Sequence, residues 1–286
     1  MMKFYLAGLG NWFSDYPLIE KAVVEADKLG FDSVLMPDHY MWGKTEWMHR
    51  PDAYATLETW ITLSYLAGKT EQIKLGTLVT PIPFRPPALM AKMVSTLDVI
   101  SGGRVVFGVG AGWSQVEFEG YSEWNEPNVR VDKTEEGLNL MIKLWTKNEV
   151  TFQGEFYQAT KAVLEPKPVQ RPYPPLLFGG NKHRMLQLAG KYGNIIYIPP
   201  FEASEPYVER KKIVIAAAKK ANRVNKITFM NGPMGTMGPY DSEEFVRLVE
   251  SAAESGANYF LTSLPRNDKF IESINRFAED VIPSFK

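Results

Sequence analysis

Short apolar runs alternate along the chain with stretches whose apolar residues recur every three or four positions, the patterns of buried strand and amphipathic helix. Lys3 to Gly8 is predicted as a strand. Leu18, Ile19, Ala22, Val23, Ala26 and Leu29 then form one helical stripe, which Gly30 stops. Strands are expected at Phe31 to Met36, Ile73 to Val79 and Arg104 to Val109, with helices at Ala53 to Ala67 and Pro87 to Ile100 between them. After a polar, aromatic loop, Leu138, Met141, Ile142 and Trp145 mark a helix, and Glu149 to Gln158, centred on Gly154, reads as a hairpin. Five prolines between Pro166 and Pro175 lead into a strand at Leu176 to Phe178, and Gly179-Gly180-Asn181 opens the next helix. The remaining strands are Ile195 to Ile198, Lys226 to Met230 and Asn258 to Thr262. Helices are expected near Glu205 to Asn222, from Glu243 to Ser255 with Asp241 and Glu244 spaced as a capping box, and from Phe270 to Ile282.

Eight strands alternating with eight helices predict an α/β fold of the (β/α)8 TIM-barrel type, with an insertion loop and a small hairpin after the fourth strand. One domain is expected to span residues 1–286. In such a barrel, ligands meet the carboxyl ends of the strands. Residues Thr80 and Pro81 and the stretch from Gly110 to Trp113 are thus expected on one rim.

Composition narrows the partners. Lys plus Arg total 32 and Asp plus Glu 33, for a formal charge of −1, and no long run of like charge occurs, which disfavours a nucleic-acid or membrane-surface partner. The chain has no Cys, which excludes disulfides and thiolate chemistry. With no signal-peptide run at the N-terminus and no stretch of membrane-spanning length, a soluble cytoplasmic protein acting on a small molecule is expected.

The second strand ends in Met36-Pro37-Asp38-His39-Tyr40-Met41-Trp42. His39 is the leading acid/base candidate, since an imidazole beside a carboxylate such as Asp38 can be held in one tautomer and tuned near neutral pH. The ordinary alternative is that Asp38 caps a turn and His39 bonds to backbone. His49 and His183 lie in separate segments, no His-x-x-x-His spacing occurs, and no metal is expected. The absence of Gly-x-Ser-x-Gly disfavours a serine nucleophile. Gly108, Gly110 and Gly112 alternate and so depart from GxGxxG; they serve either tight packing or a flat ring lying against backbone. Gly179-Gly180-Asn181, followed by Lys182, His183 and Arg184, is a candidate phosphate cradle or an ordinary turn. Trp12, Trp42 and Trp113 follow predicted strand ends and could wall a planar ligand, whereas Trp145 belongs to a core stripe.

Three segments carry a family resemblance. GFDSVLMPDH, LGTLVTPIPFRPPALMAKMVSTLDVISGGRVVFGVGAGW and PKPVQRPYPPLLFGG are similar to the bacterial-luciferase-like superfamily of flavin and deazaflavin oxidoreductases, and within it to the coenzyme F420-dependent branch. The resemblance implies a non-prolyl cis peptide at Leu78–Val79 beneath the cofactor ring. It implies that Asp38, His39 and Trp42 lie at the deazaflavin and the reacting atoms, with Asp38 and His39 as the catalytic pair. Thr80, Ala111, Gly112 and Trp113 are implied as further ring contacts, and Gly179, Gly180 and Asn181 as the phosphate end. F420 is the implied cofactor and FMN the alternative, which would make the protein a luciferase-like monooxygenase. A non-catalytic flavin-binding barrel is the third reading, and a homodimer is implied by analogy. Sugar-phosphate dehydrogenases of this branch carry a Glu where this chain has Trp113, with Glu117 and Glu119 only later in the loop. That departure implies a less polar substrate, reached beneath a mobile loop from Ser114 to Arg130.

Overall fold

The computed structural model describes residues 1–10, 15–41, 55–198, 207–235, 238–265 and 269–286. Eight parallel strands close on themselves. In chain order they are β1 (Lys3–Ala7), β2 (Ser33–Met36), β3 (Lys74–Thr77), β4 (Val105–Gly110), β5 (Leu176–Gly179), β6 (Ile195–Tyr197), β7 (Thr228–Asn231) and β8 (Tyr259–Ser263). Each pairs with its sequence neighbours, and β8 returns to β1 with Tyr259 opposite Lys3 and Ser263 opposite Ala7. A two-residue extension of β3, Thr80–Pro81, pairs with Val109 and Gly110. The expected (β/α)8 barrel is the observed fold.

Alternation along the strands divides the apolar residues into two cores. Tyr5, Leu35, Val106, Leu177, Ile195, Tyr197, Met230 and Leu261 fill the barrel, with the half-buried Leu78 and Val79 packed against them. Residues of opposite parity, among them Phe4, Val34, Leu75, Phe107 and Phe178, face the helices. Burial holds the phenol of Tyr197 far above its ordinary pKa, so it stays neutral and donates to the Gly232 carbonyl at 3.0 Å.

The helices are α1 (Tyr16–Lys28), α2 (Thr59–Ala67), α3 (Pro87–Ile100), α4 (Gln115–Tyr121), α5 (Pro127–Thr146), α6 (His183–Tyr192), α7 (Tyr207–Lys220), α8 (Ser242–Glu254) and α9 (Phe270–Asp280). Asp241 caps α8 by accepting from the N–H groups of Glu243 and Glu244, as its spacing predicts. The hairpin lies in the expected place but pairs Val150–Gln153 with Gln158–Ala162, a later second strand than predicted.

Two expectations need correction. α2 starts at Thr59, after non-helical residues 55–58, because Glu58 is its N-cap and accepts from the Ile61 N–H at 2.7 Å; the expected start at Ala53 lies outside the described residues. The segment from Ser114 to Arg130, expected as a mobile loop, contains α4 and the first turn of α5. It is pinned by Phe118, fully buried, whose ring lies 4.4 Å from Phe84 and 5.7 Å from Trp124. The Arg130 guanidinium sits 4.0 Å over Trp124.

Candidate active site

β2 runs its chain into the rim, and two charged networks begin there. Asp38 has no exposed side-chain surface. Its Oδ2 accepts from Arg85 (2.8 Å), Thr80 Oγ1 (2.8 Å) and Trp60 Nε1 (3.0 Å), and Oδ1 from the second Arg85 nitrogen (2.9 Å). This is the bidentate fork geometry that suits arginine and carboxylate. Arg85 also bonds the half-buried Glu58 and lies 4.8 Å over the Tyr40 ring. Burial is the largest single influence on Arg85 and works against its charge, but the Asp38 carboxylate, Tyr40 and Glu58 together outweigh it and raise the guanidinium above its ordinary value. Burial likewise pushes up the Tyr40 phenol.

The second network holds His39. Its Nδ1 lies 2.7 Å from Oε2 of Glu117, a carboxylate of α4 with no exposed surface. The other Glu117 oxygen accepts from the backbone N–H groups of Tyr40 and, at 3.3 Å, Met41. The expected Asp38–His39 pair is therefore corrected. The two residues are adjacent in sequence, yet Asp38 turns to Arg85 while His39 turns to a carboxylate 78 residues away. Thr80, expected against the ring, is buried and spends its hydroxyl on Asp38.

Ser114-Gln115-Val116-Glu117 has the spacing of a capping box, a signal that marks the start of α4. Ser114 makes no side-chain cap, however, and Glu117 turns to the β2 loop instead of back to Ser114. The local pattern thus finds the helix and hides the role of the carboxylate.

Other expected site residues fall around the same rim. The Leu78–Val79 peptide is cis, as expected. Ala111 and Gly112, just past β4, are half-buried, and Trp113 keeps 48% of its surface exposed, with its ring edge-on to His39 at 5.6 Å. The alternating glycines serve packing. A Cβ at Gly110 would meet Val79 Cγ2 at 2.4 Å, and one at Gly112 would meet Phe118 at 2.4 Å. Trp42, Trp12, Trp47 and His49 lie outside the described residues.

At β5, Gly179 packs against Val79, while Gly180 is exposed with φ +141° and only Met185 near its missing Cβ. Asn181 is half-buried, Lys182 and His183 are exposed, and α6 begins with no side-chain cap on its first N–H groups. Arg184 is tied away to Asp132 on α5. Ser263 was not anticipated. It ends β8, shares the inward parity of Tyr259 and Leu261, and buries a hydroxyl that has no hydrogen-bond partner. A crevice of about 550 Å³ lies elsewhere, on the outer surface between α6 and α7, lined by His183, Lys191, Ile213 and Lys220 among others. The rim, with its buried imidazole and carboxylates, is the better candidate site.

A closed barrel of eight parallel strands wrapped in helices is the architecture this chain shares with luciferase-like (β/α)8 barrels. The chain belongs to the luciferase-like monooxygenase family, whose model matches residues 14–243. It is 35% identical to the FMNH(2)-dependent dimethylsulfone monooxygenase of Pseudomonas putida over 133 residues, 46% of this chain and 36% of that protein. It is 30% identical to the F420-dependent glucose-6-phosphate dehydrogenase of Amycolatopsis mediterranei (strain U-32) over 213 residues, 73% of this chain and 61% of that protein. The chain thus spans 36% and 61% of the lengths of these two relatives. An F420-dependent secondary alcohol dehydrogenase, solved with an F420-acetone adduct, shares the fold, with a TM-score of 0.84 at 23% identity over 100% of this chain and 99% of that one. No helix among the described residues is long and apolar enough to cross a membrane.

Proposed function

We propose that the protein is an F420-dependent oxidoreductase that moves a hydride between the deazaflavin and a small organic substrate. The observation that carries this reading is the Glu117-held imidazole of His39 on the barrel rim, edge-on to the exposed Trp113 ring. The rim fits a flat, phosphate-bearing cofactor. Ser263 offers an unused hydroxyl at the floor, and the open turn at Gly180-Asn181 with the uncapped N-terminus of α6 suits a phosphate. Leu78, Val79, Ala111, Gly112 and Trp113 would line the ring, and Gly179, Gly180 and Asn181 the phosphate end.

F420, when bound, supplies a two-electron hydride donor or acceptor and no useful oxygen activation. The protein's part is to orient the substrate, exclude water and exchange the accompanying proton, which we assign to His39. Trp113 on the rim favours a substrate less polar than a sugar phosphate. Asp38 fixes the rim through Arg85 instead of touching the reacting atoms.

The second reading, an FMN-dependent monooxygenase, rests on the 35% identity with the dimethylsulfone monooxygenase. Absorbance titrations of the protein with F420 and with FMN decide between them. Tighter binding of F420 is expected; equal or tighter binding of FMN, with oxygen consumption by the reduced complex, would make the second reading the answer.

Gly180→Asp is expected to weaken F420 binding by placing a carboxylate at the phosphate end. Because φ at Gly180 is positive, any side chain there strains the turn, so Gly180→Ala is the control. The aspartate variant should bind F420 at least tenfold more weakly than the alanine variant. Equal dissociation constants would put the phosphate elsewhere.

A further inference from the structure

We infer that Glu117 is a positioning residue that fixes the tautomer of His39, keeping a proton on Nδ1 and leaving Nε2 as the nitrogen that exchanges protons. The inference deepens the proposed function and rests on it for its catalytic meaning, but its structural content stands on the protein alone. Glu117 lies on α4, after β4, and His39 on the loop after β2, so the carboxylate joins two rim segments that the sequence keeps apart.

Its two oxygens divide the work. One accepts the backbone N–H groups of Tyr40 and Met41 and so holds the loop. The other faces Nδ1 of His39 at 2.7 Å. A carboxylate has only acceptor sites, so the imidazole must donate at Nδ1 whether it is neutral or charged. In the neutral ring this leaves the lone pair on Nε2, as an orienting carboxylate does for a general-base histidine elsewhere. Both partners are withdrawn from bulk water: Glu117 is fully buried and the His39 side chain is 10% exposed.

Glu117→Gln separates this role from simple anchoring. The two backbone N–H groups still need an acceptor, so the amide oxygen is expected to stay with Tyr40 and Met41. The amide NH₂ must then face His39, and a donor there requires a bare Nδ1 and a proton on Nε2. Anchoring survives and the tautomer inverts.

The chain has three histidines, which makes nitrogen-15 spectra of histidine-labelled protein tractable. Variants of His49 and His183 complete the assignment. In the wild-type protein without cofactor, at a pH where the ring is neutral, the His39 spectrum is expected to show a protonated Nδ1 and an unprotonated Nε2. In Glu117→Gln the two signals should exchange character, with a thermal midpoint close to that of the wild type. A wild-type ring protonated on Nε2, or a folded glutamine variant with the tautomer unchanged, would overturn the inference. Should the variant fail to fold, the wild-type spectrum alone still decides. Neither measurement involves F420, so failure here is distinct from failure of the cofactor assignment, which the titrations read.

Discussion

Replacing His39 with asparagine is expected to lower turnover by about 10²–10⁴-fold, the range that a positioned general acid or base contributes. Asparagine is the informative choice because its amide N–H can take the place of Nδ1–H and keep Oε2 of Glu117 bonded. Alanine would leave that buried oxygen without a partner, at a cost of about 1–3 kcal/mol, and so mix a stability defect with the chemical one. F420 should bind the asparagine variant with little change, since the ring walls and the phosphate end lie on other strands. The rate is best read as single-turnover hydride transfer followed by F420 absorbance, which separates chemistry from binding and release. Near-normal transfer in a folded variant would make His39 structural and move the proton to another group on the rim.

The barrel was legible because its signal is local. Pro87–Ile100 has the bounds expected from its apolar period, and most strands lie within one or two residues of expectation. At the start of α2 a single side chain, the Glu58 cap, explains the shifted boundary. The segment from Ser114 to Arg130 reads as a loop in the sequence because its charged and aromatic residues resemble a solvated stretch. Phe118 buries itself against Trp124 of the same segment and against Phe84, a contact 34 residues away that no local window of sequence contains.

For the candidate site, the sequence foretells rim positions and not the pairing of side chains. His39, Leu78, Val79 and Trp113 stand on the rim because strand ends are where a barrel puts them. Which carboxylate serves which cation is a tertiary fact. Asp38 and His39 are consecutive, so proximity in sequence suggested a pair, yet the bonds of Asp38 reach 47 residues to Arg85 and that of His39 reaches 78 to Glu117. Ser263 carries no motif at all. Only the strand parity and the unpartnered state of its buried hydroxyl bring it to notice.

The crossed pairing also fixes how the rim should fail. Arg85→Ala would leave Asp38, with no exposed side-chain surface, facing only the neutral donors Thr80 and Trp60. Breaking one side of a buried ion pair costs about 3–5 kcal/mol, because the remaining charge is stranded in a poorly solvated place. A fall in thermal midpoint on the order of 10 °C is expected at roughly 2–4 °C per kcal/mol. The partner substitution should cost less. In Asp38→Asn the amide oxygen can still accept from Thr80 and Trp60, and Arg85 retains the half-buried Glu58 and the face of Tyr40, so a loss of about 1–3 kcal/mol is expected. Thermal scans of both variants at one heating rate test the asymmetry. Equal losses, or a larger loss for Asp38→Asn, would show that the neutral donors and not Arg85 hold the Asp38 carboxylate in the fold.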